Sequence, residues 1–251
     1  KMKNIKALLK KNKLTIGSWI TIVDPVTTEM MCKSKFDWLA IDLEHSAIDI
    51  NSLQNLIRII SLYNIFPFVR LTSNNSDQIK RVMDAGAMGI IVPMVKSNDD
   101  IKRASESMYY PKKGKRSVGL ARAQRYGANL KGYISNLRKF GTLIAQIEHI
   151  DAVENIDEIF SNKDLDGYII GPNDLSASLG IPGDLSTSKL QKIIHYINEK
   201  AKEHKIPGGK HIIEPDIKEL ARVKKNGSKF IAYSIDIRMF DKSLQELNRS
   251  I

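Results

Sequence analysis

The chain has 251 residues, 42% hydrophobic and 27% charged, with a formal net charge of +11. That length fits one globular domain of α/β-barrel or doubly wound size, or two small ones. It excludes a mini-protein held by disulfides or a structural metal. The composition argues against disorder, and no run of about 18 apolar residues offers a membrane span. No apolar signal core follows the basic stretch Lys1 to Lys13. The single cysteine, Cys32, excludes an intramolecular disulfide and a multi-cysteine zinc site, and makes a reducing cytoplasm the expected compartment. The positive charge by itself points to nucleic acid, anionic lipid or anionic substrates, or to a lysine-rich proteome.

Short apolar runs alternate with helical patterns along the chain. Leu14 to Ile22 reads as a first strand, with a helix from about Pro25 to Lys35. Phe36 to Leu43 is a second strand. The helix after it, about Ile50 to Leu62, carries Leu53, Ile57 and Ile60 at helical spacing. Ile65 to Arg70 is a third strand, with a helix from Ser76-Asp77 to near Gly86. Gly89 to Val95 is a fourth, with a helix from about Asn98 to Met108. The basic, glycine-bearing stretch Tyr109 to Leu130 reads as a long loop, of a kind more often functional than idle. Gly141 to Ile147 is a fifth strand, with a helix through Phe160. Leu165 to Ile170 is a sixth, with a helical turn near Asn173 to Leu179. Leu190, Ile193, Ile194, Ile197 and Ala201 mark one face of an amphipathic helix. Ile206 to Ile213 is the seventh strand and the least regular. A helix from Pro215 to Lys225 stops at Asn226-Gly227, a good C-cap pair. Lys229 to Ser234 is the eighth strand, and a last helix follows.

Eight strands alternating with helices over this length predict an α/β fold, a (β/α)8 TIM barrel, as one domain over residues 1–251. An open doubly wound sheet is the alternative. No G-x-G-x-x-G turn follows any strand, which counts against dinucleotide binding.

In such a barrel the chemistry sits where strands end and βα loops begin. The second strand ends in Asp42-Leu43-Glu44-His45, the third in Arg70, the fifth in Gln146-Ile147-Glu148. The sixth runs into Gly171-Pro172-Asn173-Asp174. Glu148 and Asp174 are hard oxygen ligands on adjacent strands. With waters and a chelating substrate they would complete an octahedral site for Mg²⁺ or Mn²⁺. Each is equally what a helix N-cap or first-turn acid looks like. His45 is an acid/base candidate whose tautomer or pKa Asp42 would tune, or else a surface-loop histidine. His149 directly follows Glu148, and consecutive residues rarely aim at one point, so it is set aside as a ligand. Arg70 ends an apolar strand and needs an anionic partner, either structural, such as Glu44, or an oxyanion in a reaction. The turn at Gly171 would present free backbone N–H groups to a substrate carboxylate, or be an ordinary capped turn. Cys32 has no paired base and reads as a core thiol. Lys96 and Lys210 lie near strand ends but among many other lysines.

Taken in order, these positions carry a resemblance. Phe36-Asp37-Trp38-Leu39 to Asp42-Leu43-Glu44-His45, Val69-Arg70, Asp84-Ala85-Gly86-Ala87, Val92-Pro93-Met94-Val95, Gly114-Lys115-Arg116-Ser117, Ala121-Arg122-Ala123, Gln146-Ile147-Glu148 and Gly171-Pro172-Asn173-Asp174-Leu175-Ser176 match one family. The chain resembles the class II, metal-dependent pyruvate aldolases of the HpcH/HpaI family from Gly17-Ser18-Trp19 to about Pro182-Gly183, and more weakly beyond. The resemblance implies a barrel of the phosphoenolpyruvate/pyruvate type. It also implies a homo-oligomer, trimer or hexamer, with the last helix exchanged between subunits. It implies a divalent ion, Mg²⁺ or Mn²⁺ with Co²⁺ or Zn²⁺ as alternatives, on Glu148 and Asp174. His45 becomes the acid/base, assisted by Asp42, and Arg70 stabilises an enolate. Trp19 and Gln146 line the substrate site, and the backbone near Asn173 and Asp174 holds the pyruvate carboxylate. The expected reaction is cleavage of a 4-hydroxy-2-oxo acid to pyruvate and an aldehyde.

The chain departs from the family at two places. The segment around Val118-Gly119-Leu120 is short. Pro207-Gly208-Gly209-Lys210-His211 carries a lysine and a histidine where relatives often carry apolar residues, so Lys210 or His211 is expected to meet a polar or anionic aldehyde. Arg70, Arg116, Arg122 and Lys210 are expected to make the barrel mouth electropositive. Two competing functions remain. One is a CoA-thioester lyase of the citrate lyase β type, its nucleotide held by the basic loop Lys112 to Arg125. The other is a non-enzymatic binder of nucleic acid or an anionic surface. Against the latter, the basic residues are spread over many helices and no aromatic-interleaved recognition motif is present.

Overall fold

The computed structural model describes residues 2–249 and 251. Eight parallel strands close on themselves in sequence order: β1 Thr15–Ile20, β2 Trp38–Asp42, β3 Phe66–Arg70, β4 Gly89–Val92, β5 Thr142–Ile147, β6 Gly167–Ile170, β7 Gly208–Ile212 and β8 Phe230–Ile235. Pairing of Thr15 with Phe230 and Ile16 with Ile231 joins β1 to β8. That closure removes the open-sheet alternative. The fold is a (β/α)8 TIM barrel.

The helices are α1 Ile5–Lys10, α2 Pro25–Cys32, α3 Ile50–Leu62, α4 Ser76–Ala85, α5 Asn98–Met108, α6 Leu130–Phe140, α7 Ile150–Glu154, α8 Ile156–Ser161, α9 Pro172–Ser178, α10 Ser188–Glu203, α11 Ile217–Lys225 and α12 Asp236–Asn248. Side-chain caps start several of them. Asp24, Asp49 and Asn75 accept backbone N–H bonds at α2, α3 and α4, and Ser97 with Asp100 forms a full capping box on α5. At the end of α4, Gly86 adopts φ 112°, the left-handed stop that a side chain disfavours. Among the described residues no helix is long and apolar enough to cross a membrane.

Inward and outward side chains alternate along the strands and make two cores. Leu39, Ile41, Val69, Ile90, Val92 and Leu143 pack outward under the helices. Trp38, Phe66, Phe68, Ile91, Ile144 and Phe230 fill the barrel itself. Trp38 stacks on Phe230 with ring centroids 4.2 Å apart, and Phe68 meets both rings edge-on. The barrel is therefore a packed core with one open end, not a pore.

The other end is plugged. Ile5 and Leu9 of α1 join the interior cluster from below, and Lys6 donates to Asp166 and to the Gly141 carbonyl, each at 2.9 Å. Helix α1 carries no clear helical signal in the sequence, since its lysines read as a basic tail. Helix α6 likewise lies where the sequence predicts no element. The helix expected through Phe160 is two short ones, broken at Asn155.

The basic loop also lies elsewhere than expected. It crosses the plugged end, where α4 and α5 finish. The buried Arg116 guanidinium pairs with Asp84 and with the Tyr133 hydroxyl, and Arg122 donates to the Ala85 carbonyl at 3.0 Å. Neither arginine lines the mouth of its own barrel. The reason is topological: a segment between a helix C-terminus and the next strand lies at the strand-start end of the barrel.

Candidate active site

The open end gathers the polar strand ends into one arc. Asp42, the last residue of β2, is fully buried. Its carboxylate grips Arg70 of β3 with two bonds, Oδ1 to Nε at 2.8 Å and Oδ2 to Nη2 at 2.5 Å. The register of β2 on β3 sets Asp42 directly beside Arg70. Oδ1 also accepts the backbone N–H groups of Glu44 at 3.0 Å and His45 at 3.4 Å. Asp42 was expected to tune the His45 ring. The structure corrects this: its contact with His45 is through the backbone, and its charge is given to Arg70, which a planar guanidinium can take in bidentate fashion.

Arg70 is held on two further sides. Nη1 lies 3.4 Å from Glu44 Oε2, and the guanidinium sits 4.6 Å from the Trp19 ring centroid. The His45 ring is exposed, with Nε2 3.8 Å from the same Glu44 oxygen. Glu44 Oε2 itself is buried without a hydrogen-bond partner. Burial, opposed by Arg70 and reinforced by Glu148, Asp42 and Asp174, pushes the Glu44 carboxyl up to about 7.

Glu148, just past β5, is almost fully buried. Oε1 accepts the Met94 N–H at 2.7 Å, and Oε2 accepts from Gln146 Nε2. Met94 makes that bond from a left-handed conformation, φ 50°, which nothing in the sequence signals. Gly171 makes room for the carboxylate, since a Cβ there would lie 2.3 Å from Glu148 Oε2. Burial raises the Glu148 pKa, offset by the bonds from Gln146 and Met94 and raised again by Asp174. Asp174 is exposed in the first turn of α9. That helix starts at Gly171 and Pro172 with no side-chain cap, so the N–H groups of Asn173 and Asp174 stay free of one. His149 faces α7 instead, its Nδ1 accepting the Asp151 N–H at 3.2 Å.

This donor set suits a hard divalent cation. Glu148 and Asp174 repel each other and Glu44, the Gln146 Oε1 is buried without a partner, and a positive ion among them would relieve both. Among the described residues no three His, Cys, Asp or Glu side chains form a complete cage, so waters and substrate would supply the remaining oxygens.

Strand parity decides the seventh strand. Lys210 was expected at the substrate. The structure corrects this: it points out of the barrel and pairs with Glu219 of α11 at 2.8 Å. His211, the next residue, points in. It packs against Trp19 with ring centroids 5.6 Å apart, and its Nε2 lies 3.3 Å from the Ser234 carbonyl oxygen. Lys96 is likewise turned aside, 3.5 Å from Asp151.

Comparison with known proteins agrees with this geometry. The family model described as HpcH/HpaI aldolase/citrate lyase matches residues 15–242. The chain is 32% identical over 242 residues to the 5-keto-4-deoxy-D-glucarate aldolase of Citrobacter koseri, covering 96% of this chain and 93% of the relative. Among solved structures, an HpcH/HpaI aldolase/citrate lyase family protein from Burkholderia cenocepacia superposes with TM-score 0.92 at 24% identity, covering 99% of each chain, a likeness of fold. Citrate synthase SbnG superposes with TM-score 0.86 at 27% identity, covering 98% of this chain and 96% of that one. The chain is thus a carbon–carbon lyase that belongs to the HpcH/HpaI aldolase/citrate lyase family.

Proposed function

We propose that the enzyme reversibly cleaves a 4-hydroxy-2-oxo acid to pyruvate and an aldehyde. The observation that carries this reading is Arg70, clamped by the fully buried Asp42 and facing the carboxylates Glu148 and Asp174 across one mouth. Cleavage beside a 2-oxo group leaves an enolate, whose charge must be met where it develops. Arg70 is fixed on three sides and needs no reorganisation to meet it. The free N–H groups of Asn173 and Asp174 take the substrate carboxylate, with Gln146 beside it. His45, exposed at the rim, takes the proton from the C4 hydroxyl in cleavage and returns it in condensation. Glu148 and Asp174 would hold a divalent ion, with Mg²⁺ and Mn²⁺ ahead of Co²⁺ and Zn²⁺. When bound it supplies Lewis-acid polarisation of the 2-oxo group.

The test is exchange of the pyruvate methyl protons followed by NMR, together with condensation against an aldehyde panel. Chelation should abolish both and Mn²⁺ or Mg²⁺ restore them, while Glu148→Gln should lose the rescue. Protein that performs neither reaction with any ion would sink the reading. A CoA-thioester reaction on the same barrel is the second reading, supported by the likeness to citrate synthase SbnG. Against it, the basic loop that would hold a nucleotide crosses the plugged end of its own barrel. Turnover of acetyl-CoA with oxaloacetate, and none of pyruvate, would favour it.

We also propose a homo-oligomer, trimer or hexamer, in which α12 packs on a neighbouring subunit. Its apolar residues Ile237, Phe240 and Leu244 share one face and are exposed on the single chain.

A further inference from the structure

The order of strands divides the mouth into two arcs. On the proposed reading, the groups that hold pyruvate come from β3, β5 and the start of α9. The remaining arc is built by β7, β8 and β1, and it offers His211, the Ser234 carbonyl and Trp19. The aldehyde half of the substrate, bonded to the pyruvate methyl carbon, must extend over that second arc.

Two side chains there have hydrogen-bonding capacity to spare, but the unpartnered Trp19 Nε1 is sealed from solvent, which leaves His211. The carbonyl of Ser234 only accepts, so the 3.3 Å contact makes His211 Nε2 the protonated nitrogen. Burial pushes the imidazole down to about 4, with Arg70 adding to the effect against the Ser234 bond and Asp42, so the ring is neutral at neutral pH. A neutral ring with its proton on Nε2 leaves Nδ1 as a bare lone pair. Nδ1 has no hydrogen-bond partner among the described residues, and it is not among the side-chain atoms sealed from solvent without one. The bond to β8 and the tilted contact with Trp19 hold the ring in place. The other side chains facing the mouth are mostly ionic; this one is a fixed, neutral acceptor.

We propose that His211 Nδ1 accepts a hydrogen bond from a hydroxyl group on the aldehyde half of the substrate. The assignment rests on the pyruvate aldolase reading and narrows it to hydroxyaldehydes. An alkyl group has no proton to give the lone pair, and a carboxylate meets it with a second one. The bond orients the aldehyde and is not itself part of the proton transfer, so His211 is a specificity-determining residue.

Glycolaldehyde and propanal make a matched pair, a hydroxyl in one standing where the other has a methyl. Condensation of each with pyruvate is measured for wild type, His211→Leu and His211→Asn, with pyruvate methyl-proton exchange followed in the same samples. His211→Leu should lower kcat/KM for glycolaldehyde about tenfold, the worth of one neutral hydrogen bond, and leave propanal and the exchange nearly unchanged. His211→Asn, which keeps one donor for Ser234 and one acceptor for substrate, should recover part of the loss. Equal losses with both aldehydes, or loss of exchange with either variant, would show a scaffold role for Trp19 and Arg70 and overturn the proposal. Wild-type protein that exchanges and condenses, but whose preference is untouched in both variants, would overturn this assignment alone. Wild-type protein that does neither would overturn the aldolase reading and this with it.

Discussion

Asp42→Asn probes the clamp on Arg70. The substitution keeps the shape of the side chain and one acceptor oxygen but removes the charge. In the folded protein the carboxylate is fully buried and holds Arg70 by bonds of 2.8 and 2.5 Å, while also taking the Glu44 N–H at 3.0 Å. Neutralising one partner of a buried pair costs about 3–5 kcal/mol, because the other charge is left buried. The amide oxygen retains one hydrogen bond worth about 1 kcal/mol. The net loss is about 2–4 kcal/mol, which for a chain of this size lowers Tm by roughly 5–15 °C. Activity falls as well. Released from Asp42, Arg70 is drawn toward Glu44, and on the proposed role of Arg70 a shift of about 1 Å in its charge costs on the order of 10²-fold. Thermal unfolding and pyruvate methyl exchange measure the two effects. A Tm within about 2 °C of wild type, with exchange preserved, would show that Asp42 does not hold Arg70 as a buried charge pair. The double replacement Asp42→Leu with Arg70→Met should regain most of the stability and remain inactive, since an apolar pair leaves no charge unpaired.

Other outcomes follow from the same geometry. Lys210→Ala should leave aldehyde preference and kcat/KM unchanged and cost less than about 1 kcal/mol, as its partner Glu219 is outside the barrel; a changed aldehyde preference would return Lys210 to the site. His211 gives a pH signature. Its ordinary value is 6.5 and its folded value about 4, so its stabilising contribution is full above 6.5 and is lost as pH falls toward 4. Relative to His211→Leu, wild type should lose about 2–3 kcal/mol over that window in chemical denaturation, and parallel stability curves would count against a buried neutral ring. If α12 packs on a neighbouring subunit as proposed, Phe240→Asp should give a smaller species than wild type in light scattering, because it sets a charge in the exposed apolar face of α12; an unchanged mass would overturn that packing.

Much of this protein was legible from the order of residues alone. Apolar runs spaced by helical patterns require strands joined by crossover helices, and the C-terminal ends of such strands converge whatever the details. Strand order alone therefore predicts Asp42, Arg70, Gln146 and Glu148 at one mouth, and there they lie. Two helices escaped detection for local reasons. Lysines masked the apolar residues Ile5 and Leu9 of α1, and a glycine-bearing basic stretch obscured Leu130, Tyr133, Ile134 and Leu137 of α6, which do recur at helical spacing.

Pairing and direction needed the tertiary structure. Asp42 stands three residues from His45 in sequence, yet the β2–β3 register puts it beside Arg70, and a bidentate charge pair outweighs a local contact. The Met94 N–H reaches Glu148 from a left-handed turn that its residue type does not announce. Lys210 and His211 are neighbours, and their charge and position looked alike in sequence. One residue of strand phase sends the lysine to Glu219 on the surface and the histidine to Trp19 inside. Arg116 and Arg122, read as part of the mouth, instead brace the opposite end of the barrel. Sequence determined which residue types stand at the strand ends, because strand period and barrel topology are local and repetitive. Only closure of the barrel decided which of them face one another, because register and parity join residues distant along the chain.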